Sequence, residues 1–397
     1  MLKFGLNRLN GALSSGLVES LKRSAHTRLP LKWSTSQILH REDQVPRNTD
    51  VLIVGGGIIG WATAFWIRRD SRLSVTVVEK DPTYSQSATV LGLGSIRQQF
   101  SEPENIQMSL FSINFLRNVT RYLSVDDSVE NIDIGFNPQG CLVLANTQNL
   151  DLLKENYLLQ LDLGAKVELL TKDALSARWP WMNVEDIEMG CYGYENEGWF
   201  DPFLLLKALK IKSHFLGVNY VVGEVIDFHA SPYMMPTFIT ERPQRPQILC
   251  KPLRSAIISL PNQTRISVNF HSVVNAAGPW AAHVAELAEI GSENIPLRLP
   301  VEPRYRQIFV VQPINTLSHI ENHHPLPGLD MPFMIDHNRL FIERRDLSGE
   351  FIVYSDNPKF DSFNDNRNQQ SSANHEFFHE HIKPLLCKRI PGFRDVK

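Results

Sequence analysis

The chain has 397 residues, 43% hydrophobic and 21% charged, enough for two domains of ordinary size with packed cores. A formal net charge of −3 offers no basic surface to nucleic acid or another polyanion, so no nucleic-acid partner is expected. The four cysteines (Cys141, Cys191, Cys250, Cys387) stand far apart with no C-x-x-C pair, which argues against a zinc site or a disulfide framework.

The N-terminal region differs from the rest. Up to Trp33 it carries Lys3, Arg8, Lys22, Arg23, Arg28 and Lys32 against one acid, Glu19, with serines interspersed. Leu2, Phe4, Leu6, Leu9, Leu13 and Leu17 are spaced for an amphipathic helix. Basic, Ser-rich and acid-poor describes a mitochondrial transit peptide; a disordered basic tail is the plainer reading of the same composition. Residues 1–49 are therefore assigned to transit peptide and linker. No apolar stretch is long enough to span a bilayer, so a soluble or peripheral membrane protein is expected.

From Asp50 the pattern changes. The run DVLIVGGGIIGWATAFWIRRDSRLSVTVVEK predicts a strand over Val51–Val54, a turn at Gly55-Gly56-Gly57, a helix from Ile58 to about Arg69, and a strand over Val75–Val78 ending on Glu79. This is the order of a dinucleotide-binding unit. Gly55 allows the tight turn, Gly57 lets backbone approach a pyrophosphate, and Gly60 lets helix pack on strand. The helix N-terminus offers free N–H groups and a positive dipole end. Glu79 stands where a carboxylate accepts both ribose hydroxyls, which suits FAD or NAD rather than NADP. The competing reading is a purely structural βαβ turn.

Small residues follow: Ser85, Ser87, Thr89, then Leu91-Gly92-Leu93-Gly94-Ser95-Ile96-Arg97. Such a passage lets backbone run beside a large planar ligand, or is an ordinary surface loop. Apolar spacing predicts helices over Glu104–Leu123 and Leu152–Leu161, with a strand over Cys141–Ala145 between them. A strand over Lys166–Leu170 and a short capped helix over Thr171–Arg178 come next. Pro202 opens a helix over Phe203–Leu216 that Gly217 closes. Val218–Val222 and Val225–Phe228 read as strands. Ser272–Gly278 (SVVNAAG) reads as a buried strand whose small end permits close contact with a ligand, and Pro279-Trp280 starts a helix. Leu299–Pro303 and Tyr305–Val311 read as extended.

Taken in order, VLIVGGGIIG, Glu79-Lys80, the passage into Arg97, WFDPFLLLKAL, GVNYVVGEV and SVVNAAGPW resemble the D-amino-acid oxidase superfamily of FAD-dependent oxidoreductases. TYSQSAT, RQQFSEPENIQMSLFSINFLRN, FNPQGCLVLA, EGWFDP and LPVEPR carry a closer likeness to one branch of it, from Asp50 onward. The resemblance implies an α/β fold: a Rossmann-like FAD-binding domain interleaved with a mixed-sheet substrate domain. The expected pieces are residues 50–120 and 201–295 for the FAD domain and 121–200 and 296–397 for the substrate domain. It also implies a mitochondrial location, in the matrix or on the matrix face of the inner membrane, and a part in assembling respiratory complex I. By carry-over, Gly55, Gly57 and Gly60 meet the FAD pyrophosphate and Glu79 the ribose. Ile58, Ile59 and Lys80 are further cofactor positions. Ser87, Ala88, Thr89, Gly92, Gly94 and Ser95 run along diphosphate and flavin; Val225 flanks adenine; Ala277 and Gly278 lie against the cofactor.

Two departures accompany the resemblance. The family's C-terminal return to the FAD domain is missing from this sequence, which reads as an incomplete product or as a variant that cannot close its cofactor site. Tyr354-Ser355 also stand where the family usually has small glycines.

The family oxidises a carbon next to an amine, so a cation must hold the substrate carboxylate. Arg97 is the first candidate, with a surface salt bridge as its plainer reading. Phe341 and Arg344, on one predicted strand, could face the substrate from the other domain; Arg304 and Arg306 are weaker. His319, His323 and His324 lack metal-ligand spacing, so no metal is expected. Two functional classes remain: a flavoenzyme acting on a small amine or amino acid, and a non-catalytic assembly factor with a remnant flavin site. An NAD-linked dehydrogenase is a third.

Overall fold

Two sheets organise the chain, and the sequence alternates between them. The computed structural model describes residues 2–4, 45–125, 131–231, 235–237, 248–250, 252–291, 297–313, 325–345, 348–360, 374–394 and 396. Most of the expected transit peptide and the three histidines at 319, 323 and 324 lie outside them.

In chain order the principal elements are β1 (Asn48–Val54), α1 (Ile58–Asp70), β2 (Val75–Glu79), α2 (Pro103–Arg117), β3 (Cys141–Ala145), α3 (Leu150–Asp162), β4 (Val167–Thr171) and β5 (Met189–Gly193). They continue with α4 (Pro202–Phe215), β6 (Asn219–Val222), β7 (Glu224–Ala230), β8 (Leu253–Ser259), β9 (Arg265–Asn275) and β10 (Arg306–Val311). β11 (Phe333–Ile335), β12 (Leu340–Glu343), β13 (Phe351–Ser355) and α5 (Lys383–Arg389) complete the set.

The first sheet has the order β7-β8-β9-β1-β2-β6. Strands β9, β1, β2 and β6 run parallel, and β7 and β8 extend the sheet antiparallel. Both faces of its parallel part are buried, so β1 reads as an unbroken apolar run rather than an alternating one. Val51 and Ile53 pack with Trp61, Phe65, Leu205 and Leu209 under α1 and α4. Leu52 and Val54 face the other way, against Val221, Val225, Ala256 and Val268.

The second sheet runs β10-β13-β12-β11-β3-β5-β4, with Leu2–Phe4 as an outer strand parallel to β10. Leu2–Phe4, at the start of the stretch whose apolar spacing is compatible with an amphipathic helix, forms ladder bonds to the β10 edge; the rest of that stretch lies outside the described residues. Alternation gives the second sheet two unlike faces. Leu142, Met334, Leu340, Ile342, Phe351 and Val353 form a core with Trp179, Trp181 and the C-terminal Leu386, Ile390 and Phe393. Cys141, Phe333, Phe341 and the partly buried Tyr354 occupy the opposite face.

The helix predicted over Glu104–Leu123 is two helices, α2 and a short Val119–Leu123 turn. Asn118 breaks it: its Nδ2 donates to the Asn114 carbonyl at 2.8 Å, so its side chain competes with the backbone for a helical acceptor.

Candidate functional site

The β1–α1 turn builds the first part of the site. Gly55 sits at φ +106, and a Cβ there would collide with the Ala276 carbonyl, so the turn presses directly on the end of β9. A Cβ on Gly60 would strike the Gly55 carbonyl, so Gly60 serves helix-on-strand packing and does not line the cavity described below. Gly57 is different: the nearest neighbours of a Cβ there, Thr89 Oγ1 and Ser87 Oγ, are 3.5 and 3.8 Å away, so its freedom is not demanded by packing. Gly57 caps α1 without a side-chain bond, and α1 has no acid in its first turn and Arg68 and Arg69 in its last. Among the described residues the amides of Gly57 and Ile59 have no acceptor, which leaves donors and a positive dipole end for an anion.

Around this turn lies a cavity of about 700 Å³. Gly55, Gly57, Ile58, Ile59, Glu79, Lys80, Ser87, Ala88, Thr89, Val225, Ala277 and Gly278 all line it, so residues distant in sequence converge on one space. Glu79 Oε2 accepts from the Gly56 amide at 2.7 Å and Oε1 from the Asp81 amide at 2.8 Å. Each oxygen keeps a second acceptor site. Burial pushes the Glu79 carboxyl upward, only partly offset by these bonds. Thr89 Oγ1 accepts from the Ile58 amide at 3.1 Å, and Ser87 Oγ accepts from the Thr89 amide at 3.3 Å, so this hydroxyl turn is fastened across the helix N-terminus. Lys80 Nζ pairs with Glu224 Oε1 at 2.7 Å. Asp81, Tyr84, Glu224, Trp280 and His283 also line the cavity. Tyr84, Glu224 and Trp280 lie in the strings that carry the resemblance, but none of the five was named as a cofactor position. The glycine cradle, the unpaired helix amides and the carboxylate at the end of β2 together fit a dinucleotide.

Gly92 and Gly94 do not line the large cavity. Gly94, at φ +69, is held against Phe200, whose amide donates to the Gly94 carbonyl at 3.0 Å. Gly94 thus serves a close backbone crossing beside the short strand pair Ser95–Ile96 and Gly198–Trp199, whereas a Cβ on Gly92 would press on the Ala88 carbonyl of the turn before it.

Ser95 and Arg97 line a second cavity, of about 320 Å³, with Phe100, Phe333 and Tyr354. The Arg97 guanidinium lies 5.0 Å from the Phe100 ring centre and 6.0 Å from that of Phe341. Phe341 and Tyr354 stack at 4.5 Å with 12° between planes, so the tyrosine that departs from the family's small residues forms an aromatic wall. Among the described residues no carboxylate lies within ion-pair distance of Arg97. Arg344 is not brought to this place. It follows Ile342 in the strand alternation, its guanidinium lies 5.3 Å from the Phe351 ring centre, and it donates to the Pro327 carbonyl. The neighbouring Arg345 reaches instead toward the passage after Thr89. It pairs with buried Glu343 at 2.7 Å, lies over Trp199 at 4.8 Å and donates to the Leu93 carbonyl. Arg304 pairs with Glu302 at 2.6 Å.

Comparison with known proteins agrees with this architecture. A family model described as "FAD dependent oxidoreductase" (DAO) matches residues 50–397. The "FAD-dependent oxidoreductase domain-containing protein 1" of Xenopus laevis is 41% identical over 364 residues, 89% of this chain and 69% of that protein. The Bos taurus protein of the same name is 37% identical over 363 residues, 89% of this chain and 70% of that protein. In fold, the chain is similar to L-proline dehydrogenase from P. horikoshii, with a TM-score of 0.65 and 19% identity over 89% of this chain and 79% of that one. Glycine oxidase from Geobacillus kaustophilus gives 0.60 and 20% over 87% and 79%. The chain belongs to the DAO family of FAD-dependent oxidoreductases.

Proposed function

We propose that this chain is a mitochondrial FAD-dependent oxidoreductase acting on a small amine or amino acid whose carboxylate is held by Arg97. The carrying observation is the Arg97 guanidinium on an aromatic-walled cavity of about 320 Å³, with no carboxylate partner among the described residues. FAD supplies the acceptor for the two electrons removed from the substrate carbon. Gly57, Ile59 and Thr89 would hold its diphosphate end, and Glu79 its ribose. Arg97 binds and orients the carboxylate, while Phe100, Phe333 and Tyr354, the last stacked on Phe341, exclude water and shape the space beside it. The names of the structural neighbours, a proline dehydrogenase and a glycine oxidase, support a substrate of that class.

The basic, acid-poor N-terminus supports the mitochondrial location. Among the described residues no helix is long and apolar enough to cross a membrane, which is compatible with peripheral attachment to the inner membrane. A part in complex I assembly rests on the sequence resemblance. Anaerobic addition of N-methylglycine derivatives and small amino acids to the purified flavoprotein tests the catalytic reading. Bleaching of the visible flavin band by at least one supports it. No bleaching, with co-purification of complex I intermediates, favours the non-catalytic assembly factor.

A further inference from the structure

The turn that carries Arg97 is anchored by a carboxylate that the chemistry above does not use. Glu197 is completely buried. Its Oε1 accepts from the Gln98 amide at 2.5 Å and the Gln99 amide at 3.2 Å, and its Oε2 accepts from Gln99 Nε2 at 2.8 Å. Behind the carboxylate lies Gly193, at the end of β5, where a Cβ would collide with Oε2. The Glu197 carbonyl accepts from the Gly140 amide at 2.8 Å. Gln99 Nε2 also donates to the Cys141 carbonyl on β3 at 3.0 Å, and Gln98 Nε2 to the Glu195 carbonyl at 2.8 Å. The carboxylate is thus wedged between the second sheet and the two residues that follow Arg97.

We propose that Glu197 is a positioning residue: by accepting three N–H groups from Gln98 and Gln99, it fixes the backbone that aims Arg97 into the small cavity. It thereby sets the affinity for a substrate carboxylate. This rests on the reading of Arg97 given above. The physical reason is acceptor chemistry. An ionised carboxylate is acceptor-only, and its three partners are all donors. A protonated Glu197 would turn one oxygen into a donor facing donors, so a bond must break and the turn must loosen. Two held amides directly after Arg97 otherwise leave its Cα little freedom.

Burial pushes the Glu197 carboxyl up to about 7, opposed by its bonds to Gln98 and Gln99 and by the Arg97 charge. The other titratable groups that face it are Cys141 on β3 and Cys191 and Tyr192 on β5, and burial pushes all three further up, away from neutrality. Glu197 is therefore the group of this cluster that changes charge near neutral pH. Its charge alone would weaken the binding of an anion as pH rises; its positioning strengthens it. The sign of the pH step separates the two.

The test is calorimetric titration of the flavin-loaded protein with benzoate, an aromatic carboxylate suited to a ring-lined cavity, between about pH 6 and pH 8. Wild type should bind roughly tenfold more tightly at the higher pH. Glu197→Gln should bind at the weaker level with no pH step. Gly193→Ala, which pushes on Oε2, should do the same. Wild-type affinity that falls or stays flat as pH rises overturns the proposal, and that result needs no variant to fold. A pH step retained in Glu197→Gln overturns it equally. Arg97→Met separates the two readings. If it binds benzoate like wild type, the Arg97 reading itself fails; if it loses binding while Glu197→Gln behaves as wild type, the positioning role alone fails.

Discussion

Single residues carry the cofactor site, and the glycines divide by what surrounds them. Gly55 and Gly60 are required by backbone contacts inside the protein, so substitution there costs stability first. Gly57 has ordinary van der Waals room, so packing inside the protein does not require a glycine there. Gly57→Asp should keep the fold and lose the flavin, because a carboxylate would stand at the helix N-terminus where the diphosphate belongs. Stoichiometric yellow protein after purification would refute this. Glu197 supplies a pH prediction. Its folded carboxyl titrates near 7 against an ordinary 4.5, so the folded chain keeps a proton that the unfolded chain has lost. Stability should therefore fall as pH rises from about 4.5 to about 7, by up to a few kcal/mol at this buried position. Urea unfolding of wild type and Glu197→Gln across that range checks it; parallel stability curves would contradict it. The motif glycines were legible in the sequence because their spacing is local. Glu197, Tyr354 and Arg345 were not, because their roles come from partners far along the chain.

At the scale of elements, helix ends follow local chemistry closely. Pro202 occupies the first turn of α4, and Asp201 Oδ1 accepts from the Phe203 amide at 2.8 Å and the Leu204 amide at 3.1 Å. α4 then buries Leu205 and Leu209 against α1 and the first sheet. Asp201→Ala should cost about 1 kcal/mol and lower Tm by a few degrees without altering flavin content. A Tm equal to wild type would show that the cap is dispensable. Thr171 caps the Lys172–Arg178 helix in the same way, through the Ala174 amide, as its sequence indicated. The break at Asn118 was missed because apolar spacing continues through it; the competing side-chain bond, not the hydrophobic pattern, decides the boundary.

Across the whole molecule, one ionic network ties the C-terminal segment to the second sheet. Arg389, almost fully buried, bonds Asp336 at 2.5 Å and Asp186 at 2.9 Å and donates to the Asn183 carbonyl. Lys388 adds a 2.7 Å pair to Asp186, and these cations hold the Asp186 carboxyl down to about 2, against the upward push of burial. Arg389→Met would leave the buried Asp336 carboxylate uncompensated and should cost about 3–5 kcal/mol. Chemical denaturation measures it, and a loss below about 1 kcal/mol would place the docking in the apolar contacts of Leu386, Ile390 and Phe393 instead. The sequence by itself determined the dinucleotide-binding turn, its flanking strands and helix, and the family, because glycine spacing, apolar runs and caps act over a few residues. That Arg97 and Tyr354 line one cavity, with Phe341 stacked on the tyrosine, emerged only from the tertiary structure. It also separated Arg344 from them, one step out of phase in the strand alternation, and set Glu197 behind Arg97. Those placements depend on the register between strands and on burial, which no local pattern encodes.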